Sequence, residues 1–250
     1  VIEREDIGDV AVLRLAHGPV NAMDLELCQA ASAQLRSFAA DPARAVVLTG
    51  TGRAFSAGVD LRRYLAEGEP YVERFLPALA ELFSSAFELT KPLVAAVNGH
   101  AIAGGCVLAA CADVTFMADG NGRIGVPELK VGVPFPRVAL EVLRHAVGEV
   151  AARRLVVGAE TYPPAAAREI GLVDEVVPAG ELVARAVAAA RAMATDIPPD
   201  SFATTKAQLR RDAQERIGRM TDEAEAVARL WSRRATDGWV ADYLKSVTGK

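Results

Sequence analysis

Apolar positions along the chain switch between two periods, and the switches predict most of its elements. Residues 3–7 and 10–15 are β-like and are separated only by Gly8-Asp9, which predicts two strands joined by a tight hairpin. After a loop at Pro19-Val20-Asn21-Ala22-Met23, the residues Leu25, Cys28, Ala31, Leu35 and Phe38 keep helical spacing. Asp24 is placed to cap that helix, and Asp41-Pro42 stops it near residue 40. The apolar run 45–49 reads as a short buried strand, and residues 50–64 as a glycine-containing loop leading into an amphipathic helix. A helix over 69–89 ends at Lys91-Pro92, and strands are predicted over 93–97, 114–117 and 123–126. Helices follow over 138–146 and from Gly148 to 157, then a short one from Pro163-Pro164 to near Gly171, then a strand over 173–177. From Glu181 the pattern is helical throughout, with Pro198-Pro199 as the one firm break. Strands and helices alternate to about residue 178 and helices alone follow, which gives an α/β body with a helical C-terminal region. We divide the chain at 1–195 and 196–250; no repeat of fixed period stands out.

The stretch from Asn98 to Asp113 organises the rest. An apolar strand ends at Asn98-Gly99, a Gly pair follows at Gly104-Gly105, and Cys106 to Ala112 is apolar on every side, as in a buried helix. Taken alone this is a glycine-containing loop entering a core helix. The alternative is an anion site, because the first N–H groups of a helix lack internal partners and the dipole there favours negative charge.

Composition narrows the function. A chain of 250 residues, 51% hydrophobic, can bury a full core. A net charge of −4 with a pI near 5.5 argues against a general nucleic-acid or membrane-surface binder. No apolar run approaches the length of a bilayer span, and the opening residues lack the form of a signal peptide. Cys28, Cys106 and Cys111 have no metal-ligand spacing with the histidines, so the reading is a reduced, cytoplasmic protein without a metal. The loop at 50–58 fails three motifs. Phe55 stands where a third dinucleotide-binding Gly belongs, no Gly-Lys-Ser/Thr follows, and Ala54 breaks a nucleophile elbow.

Among single residues, Glu128 lies in the apolar Val126-Pro127-Glu128-Leu129. It is either a rim carboxylate or a desolvated base. Asp60 reads as a helix cap, Asp113 as a backbone anchor, His100 as part of a structural turn, and Cys106 and Cys111 as small buried residues. His17 and His145 have no visible company. Arg210, Arg211, Arg216 and Arg219 alternate with acids and read as a solvated helix face. Leu209, Ile217, Met220, Ala224, Val227 and Leu230, with Trp231 and Trp239, form an apolar stripe expected to make an oligomer unless it folds back on its own domain.

Two stretches together carry a family resemblance. They are Ala54-Phe55-Ser56-Ala57-Gly58-Val59-Asp60-Leu61, and Asn98 to Cys106 with Ala110-Cys111-Ala112-Asp113-Val114. With Val20-Asn21-Ala22-Met23, Pro127-Glu128 and residues 167–177 in matching order, the chain resembles the crotonase (enoyl-CoA hydratase/isomerase) superfamily over nearly its whole length. The resemblance implies a spiral of ββα units with a C-terminal helical region used in trimer contacts. It implies an acyl-CoA substrate in fatty acid metabolism, with coenzyme A entering as part of the substrate and no other cofactor. It implies a homotrimer or dimer of trimers. The implied oxyanion donors are the N–H groups of Val59 and Gly104. Ala22, Ser56, Ala57, Gly58, Asp60, Leu61 and Phe135 are the implied substrate-binding residues.

Hydratases of the family carry one glutamate three residues after the second donor and another after the later proline. Here the first position is Val107 and the second is Glu128. That pattern, with Phe135 in place of a Gly-rich loop, is similar to Δ3,Δ2-enoyl-CoA isomerases, which leaves Glu128 as the proton shuttle. A hydratase of low or different activity and a non-catalytic acyl-CoA-binding protein are the alternatives.

Overall fold

In the computed structural model, which describes residues 1–219 and 222–249, strands β1 (Ile2–Ile7) and β2 (Val10–Leu15) form the expected antiparallel hairpin. Helix α1 (Leu25–Ser37) follows. Asp24 caps it by accepting from the Leu27 N–H at 2.8 Å. Three similar units come next. In each, a longer strand leads within a few residues to a very short strand and then to helix. The first is β3 (Ala45–Gly50), β4 (Ala54–Ser56), α2 (Leu61–Glu67) and α3 (Glu69–Phe87). The second is β5 (Leu93–Val97), β6 (His100–Ile102) and α4 (Gly104–Ala110). The third is β7 (Val114–Ala118), β8 (Ile124–Gly125), α5 (Glu128–Val131) and α6 (Arg137–Gly158). Then come β9 (Thr161–Tyr162), α7 (Pro164–Glu169), β10 (Glu175–Val177), α8 (Leu182–Asp196), α9 (Pro199–Gly218), α10 (Asp222–Arg234) and α11 (Trp239–Thr248).

The longer strands, with three-residue β10 at the edge, build one sheet in the order β1-β2-β3-β5-β7-β10, parallel from β2 onward, and the remaining short ones build a second, β4-β6-β8-β9. The arrangement is a succession of ββα units, as the resemblance implied. The repeat escaped sequence reading because its second strands run only two or three residues, too short to show an alternation. Both faces of the larger sheet are buried, as parallel sheets require. Ala11, Leu13, Val46 and Leu48 face the main core, whereas Val10, Val12, Ala45 and Val47 face Ala186, Val187 and Ala190 of α8. Helix α4 is buried over all seven of its residues, so the uniformly apolar stretch is a core helix, and it starts at Gly104 rather than Cys106. Helix α6 bends at Gly148, where φ is +76°.

Two expectations are corrected here. Arg210 is not on a solvated face. It is 4% exposed and donates to Asp113 at 2.8 Å and to the Cys111 carbonyl at 3.0 Å, while buried Lys206 reaches the other Asp113 oxygen at 2.7 Å. His17 does have company, since its Nε2 lies 2.6 Å from Asp24 Oδ2. Spacing along α9 showed only neighbours within that helix, whereas Asp113 lies 97 residues from Arg210; His17 and Asp24 are brought together by the loop between them. In the apolar stripe, Trp231 is buried and Ile217 and Val227 pack on the core, but Leu209 and Leu230 are exposed. Met220 lies outside the described residues. No described helix is long and apolar enough to cross a membrane.

Candidate active site

Two backbone turns from successive ββα units meet beside α4. In the first, residues 57–60 leave β4 and nearly every amide is used. The Ala57 N–H donates to Val20 O at 3.0 Å, Gly58 N–H to Ser56 Oγ at 3.2 Å, and Asp60 N–H to Met23 O at 2.9 Å. The remaining amide, that of Val59, meets no acceptor among the described residues, because Met23 bridges to its two neighbours instead. In the second turn, Ala103 N–H donates to Gly125 O at 2.8 Å and its carbonyl accepts from Val107 N–H at 3.1 Å. Gly104 is the first residue of α4, where a helical amide has no internal partner. Both implied oxyanion donors are therefore free N–H groups.

Close approach brings the two turns together. Gly58 has φ +81°, and a Cβ built on it would lie 2.6 Å from Ile102 O and 2.8 Å from the Ala103 Cβ. Only glycine lets the loop carrying Val59 press against the chain that enters α4. Ala103 itself sits at φ +54°, a conformation that costs a residue with a side chain about 1–3 kcal/mol and turns the strand directly into the helix.

A residue the sequence reading passed over holds the first loop. Asn21 is fully buried at φ +51°; its Nδ2 donates to Ala54 O at 2.9 Å and Phe55 O at 3.2 Å, and its Oδ1 accepts from His17 N–H at 2.9 Å. The Asn21 carbonyl in turn accepts from the buried Ser56 hydroxyl at 2.7 Å. The available signal was an Asn in a turn between two apolar segments, a common αL position.

The other expected residues divide into groups. Ala22, Ala57 and Leu61 are half-buried around the Val59 turn, and Gly58 is buried in it. The Asp60 carboxylate is occupied as the α2 cap, accepting from Arg62 N–H at 3.0 Å and Arg63 N–H at 3.1 Å. Phe135 stands apart, lining a cavity of about 600 Å³ between α3, α6 and α10 with Leu76, Val138 and Val227. Glu128, Val59 and Gly104 are not in that lining. Val107 is completely buried.

Glu128 opens the one-turn helix α5 and is 8% exposed, with Oε2 buried and unpartnered. Burial pushes its carboxyl up to about 8, opposed only by a hydrogen bond from its own backbone N–H. Cys106 of α4 and Tyr243 of α11 share its surroundings. Burial first, and the Glu128 charge second, push both the Cys106 thiol and the Tyr243 phenol upward. A desolvated carboxylate with a free oxygen is a strong base for its type, and unpaired amides such as those of Val59 and Gly104 suit a developing oxyanion. Among the described residues, no group of three His, Cys, Asp or Glu could hold a metal ion.

Comparison with known proteins identifies the family and the fold. The profile of the family described as Enoyl-CoA hydratase/isomerase matches residues 5–232. A Thermus thermophilus protein provisionally named an enoyl-CoA hydratase is 40% identical over 180 residues, covering 70% of this chain and 69% of that protein. Human mitochondrial enoyl-CoA delta isomerase 1 is 32% identical over 222 residues, 87% of this chain and 72% of its own. The crystal structure of human mitochondrial Δ3-Δ2-enoyl-CoA isomerase superposes with a TM-score of 0.90 at 30% identity, covering 99% of this chain and 98% of that one.

Proposed function

The chain belongs to the enoyl-CoA hydratase/isomerase family, and we propose that within it this protein moves the double bond of a 3-enoyl-CoA to the trans-2 position. The ionised Glu128 takes a proton from C2 of the bound thioester. Charge passes to the thioester oxygen, where the Val59 and Gly104 N–H groups receive it. Glu128 then returns the proton at C4. Each step needs one carboxyl group and no water. The N–H groups act where charge develops as the proton leaves, so they stabilise the transition state more than the bound substrate. Coenzyme A enters as part of the substrate, and neither a resident cofactor nor a metal takes part.

The observation that carries this reading is the pairing of a buried Glu128 carboxyl, whose Oε2 has no partner among the described residues, with a buried valine at position 107. Hydration must activate a water and also protonate the α-carbon, which is demanding for a single carboxyl group. The hydratase reading draws on the name of the Thermus relative, and so it is tested in the same assay. Purified protein is incubated with 3-enoyl-CoA and with trans-2-enoyl-CoA, and the products are separated by chromatography. The expected result is trans-2-enoyl-CoA from the first and no 3-hydroxyacyl-CoA from the second. Glu128→Gln is expected to lose roughly 10²- to 10⁴-fold in kcat while still binding acyl-CoA. Wild-type turnover in Glu128→Gln would overturn the assignment, and binding without turnover of either substrate would favour an acyl-CoA-binding protein.

We further propose that the protein works as a homotrimer or dimer of trimers in the cytoplasm. Exposed Leu209, Leu230 and Trp239 on the C-terminal helices support the oligomer.

A further inference from the structure

Helix α5 has four residues, a single turn, and a single turn is not stable on its own. Its backbone closes through Gly132 N–H and Val133 N–H, which donate to the Glu128 carbonyl at 2.9 and 3.0 Å. The carbonyls that follow point out of the turn, and the C-terminal helices meet three of them. Trp239 Nε1 donates to Lys130 O at 3.1 Å, Arg234 Nε to Gly132 O at 2.9 Å, and Trp231 Nε1 to Pro134 O at 2.9 Å. Trp231 is itself fixed, since the buried Tyr64 hydroxyl donates to its carbonyl and the two rings meet edge to face at 5.6 Å. Gly132 is the matching surface. It has φ +94°, and a Cβ there would lie 2.5 Å from Trp239 Cδ1 and 3.1 Å from Arg234 Nε.

We propose that Trp231, Arg234 and Trp239 form a carbonyl clamp that positions the Glu128 carboxyl and keeps it dry, so that the C-terminal helices complete the catalytic base from the same chain. The proposal rests on Glu128 being the proton shuttle. Three donors from two helices gripping alternate carbonyls of one short segment leave that segment a single orientation. Without them, α5 frays and water reaches the buried Oε2. The groups that feel the Glu128 charge are Cys106 from α4 and Tyr243 from α11; the cations on the same segments, Lys130 on its own turn and Arg234 on α10, are paired with Glu160 and Asp237. Both cations are held by carboxylates of their own. Burial is therefore what governs the Glu128 proton, and the clamp governs the burial.

The test compares Trp231→Phe, which keeps the ring and deletes the donor, and Arg234→Gln with the wild type and with Arg229→Gln on the exposed side of α10. Two quantities are read: kcat and KM with 3-enoyl-CoA, and the titration of the Glu128 carboxylic acid band in the infrared, assigned by its loss in Glu128→Gln. Each clamp variant is expected to lose about 10- to 100-fold in kcat with KM nearly unchanged. The Glu128 midpoint is expected to fall from near 8 toward the ordinary carboxylate range. Arg229→Gln should match the wild type in both. The infrared titration needs no turnover, so it judges the clamp even if the isomerase reading fails. If melting curves show that Trp231→Phe does not fold, the more exposed Arg234→Gln carries the test alone. Folded clamp variants with wild-type kcat and an unmoved midpoint would overturn the proposal.

Discussion

Gly58 shows how much one residue holds at this site. With φ +81° and a Cβ position 2.6 Å from Ile102 O, an alanine there must both strain the turn and push it away from the chain entering α4. Gly58→Ala is therefore expected to part the two donors and to cost about 10²- to 10³-fold in kcat, the typical effect of losing one oxyanion contact. Steady-state kinetics with 3-enoyl-CoA check this. Glu128 makes a second prediction, on stability. Its carboxyl titrates near 8 in the folded chain and near 4.5 when exposed, so between those values the folded state holds a proton that the unfolded state has released. This contribution is full below pH 4.5 and is lost as pH rises through 8, a change on the order of 4 kcal/mol. Glu128→Gln has no such proton. Urea denaturation at pH 5 and pH 9 should show the variant gaining on the wild type by that order at the higher pH, and parallel curves would refute the assigned burial.

Among the elements, α9 depends most on a single partner. It buries Lys206 and Arg210 against one carboxylate, Asp113, which also accepts from the Leu93 N–H at 2.8 Å. Removing that carboxylate leaves two buried cations uncompensated. Asp113→Ala is expected to destabilise the protein by about 3–5 kcal/mol, measured by denaturant titration. A loss below 1 kcal/mol would mean that the carbonyls of Lys91, Phe87 and Cys111 suffice to hold the two cations. The elements also differ in how openly the sequence announces them. The hairpin at Gly8-Asp9, the Asp24 and Asp60 caps and the break at Gly148 rest on local sterics and local hydrogen bonds, and all four stand where their residue types place them. The strand expected over 123–126 stands as β8, whereas β4, β6 and β9 form only because neighbouring units stack them into a sheet, and no window of sequence contains that neighbour.

For the molecule as a whole, the C-terminal helices have two roles to share. Trp231, Val227 and Ile217 pack against their own core, so that part of the apolar stripe folds back. Leu209 remains 69% exposed, Leu230 40% and Trp239 56%, and such area favours a second copy. Light scattering at micromolar concentration is expected to give three or six times the 26.4 kDa of one chain, and Leu209→Glu is expected to lower that mass. A monomeric wild type would sink the oligomer.

What the sequence determined by itself is the chemistry available at each place. Glycine at 58 and 104, valine at 107, a carboxylic acid at 128 and a uniformly apolar stretch before Asp113 are properties of the residues, and they sufficed to point to the family, whose resemblance implies the proposed donors and base. Tertiary structure alone decided how those groups behave. It pressed the Val59 loop against the mouth of α4, left both amides without acceptors among the described residues, set Asn21 behind the loop and closed the C-terminal helices on the Glu128 turn. The reason is physical. Steric and hydrogen-bonding preferences act over a few residues and are written in their order, whereas desolvation depends on everything packed around a group, and around Glu128 that packing comes from α4 and from helices more than a hundred residues further along the chain.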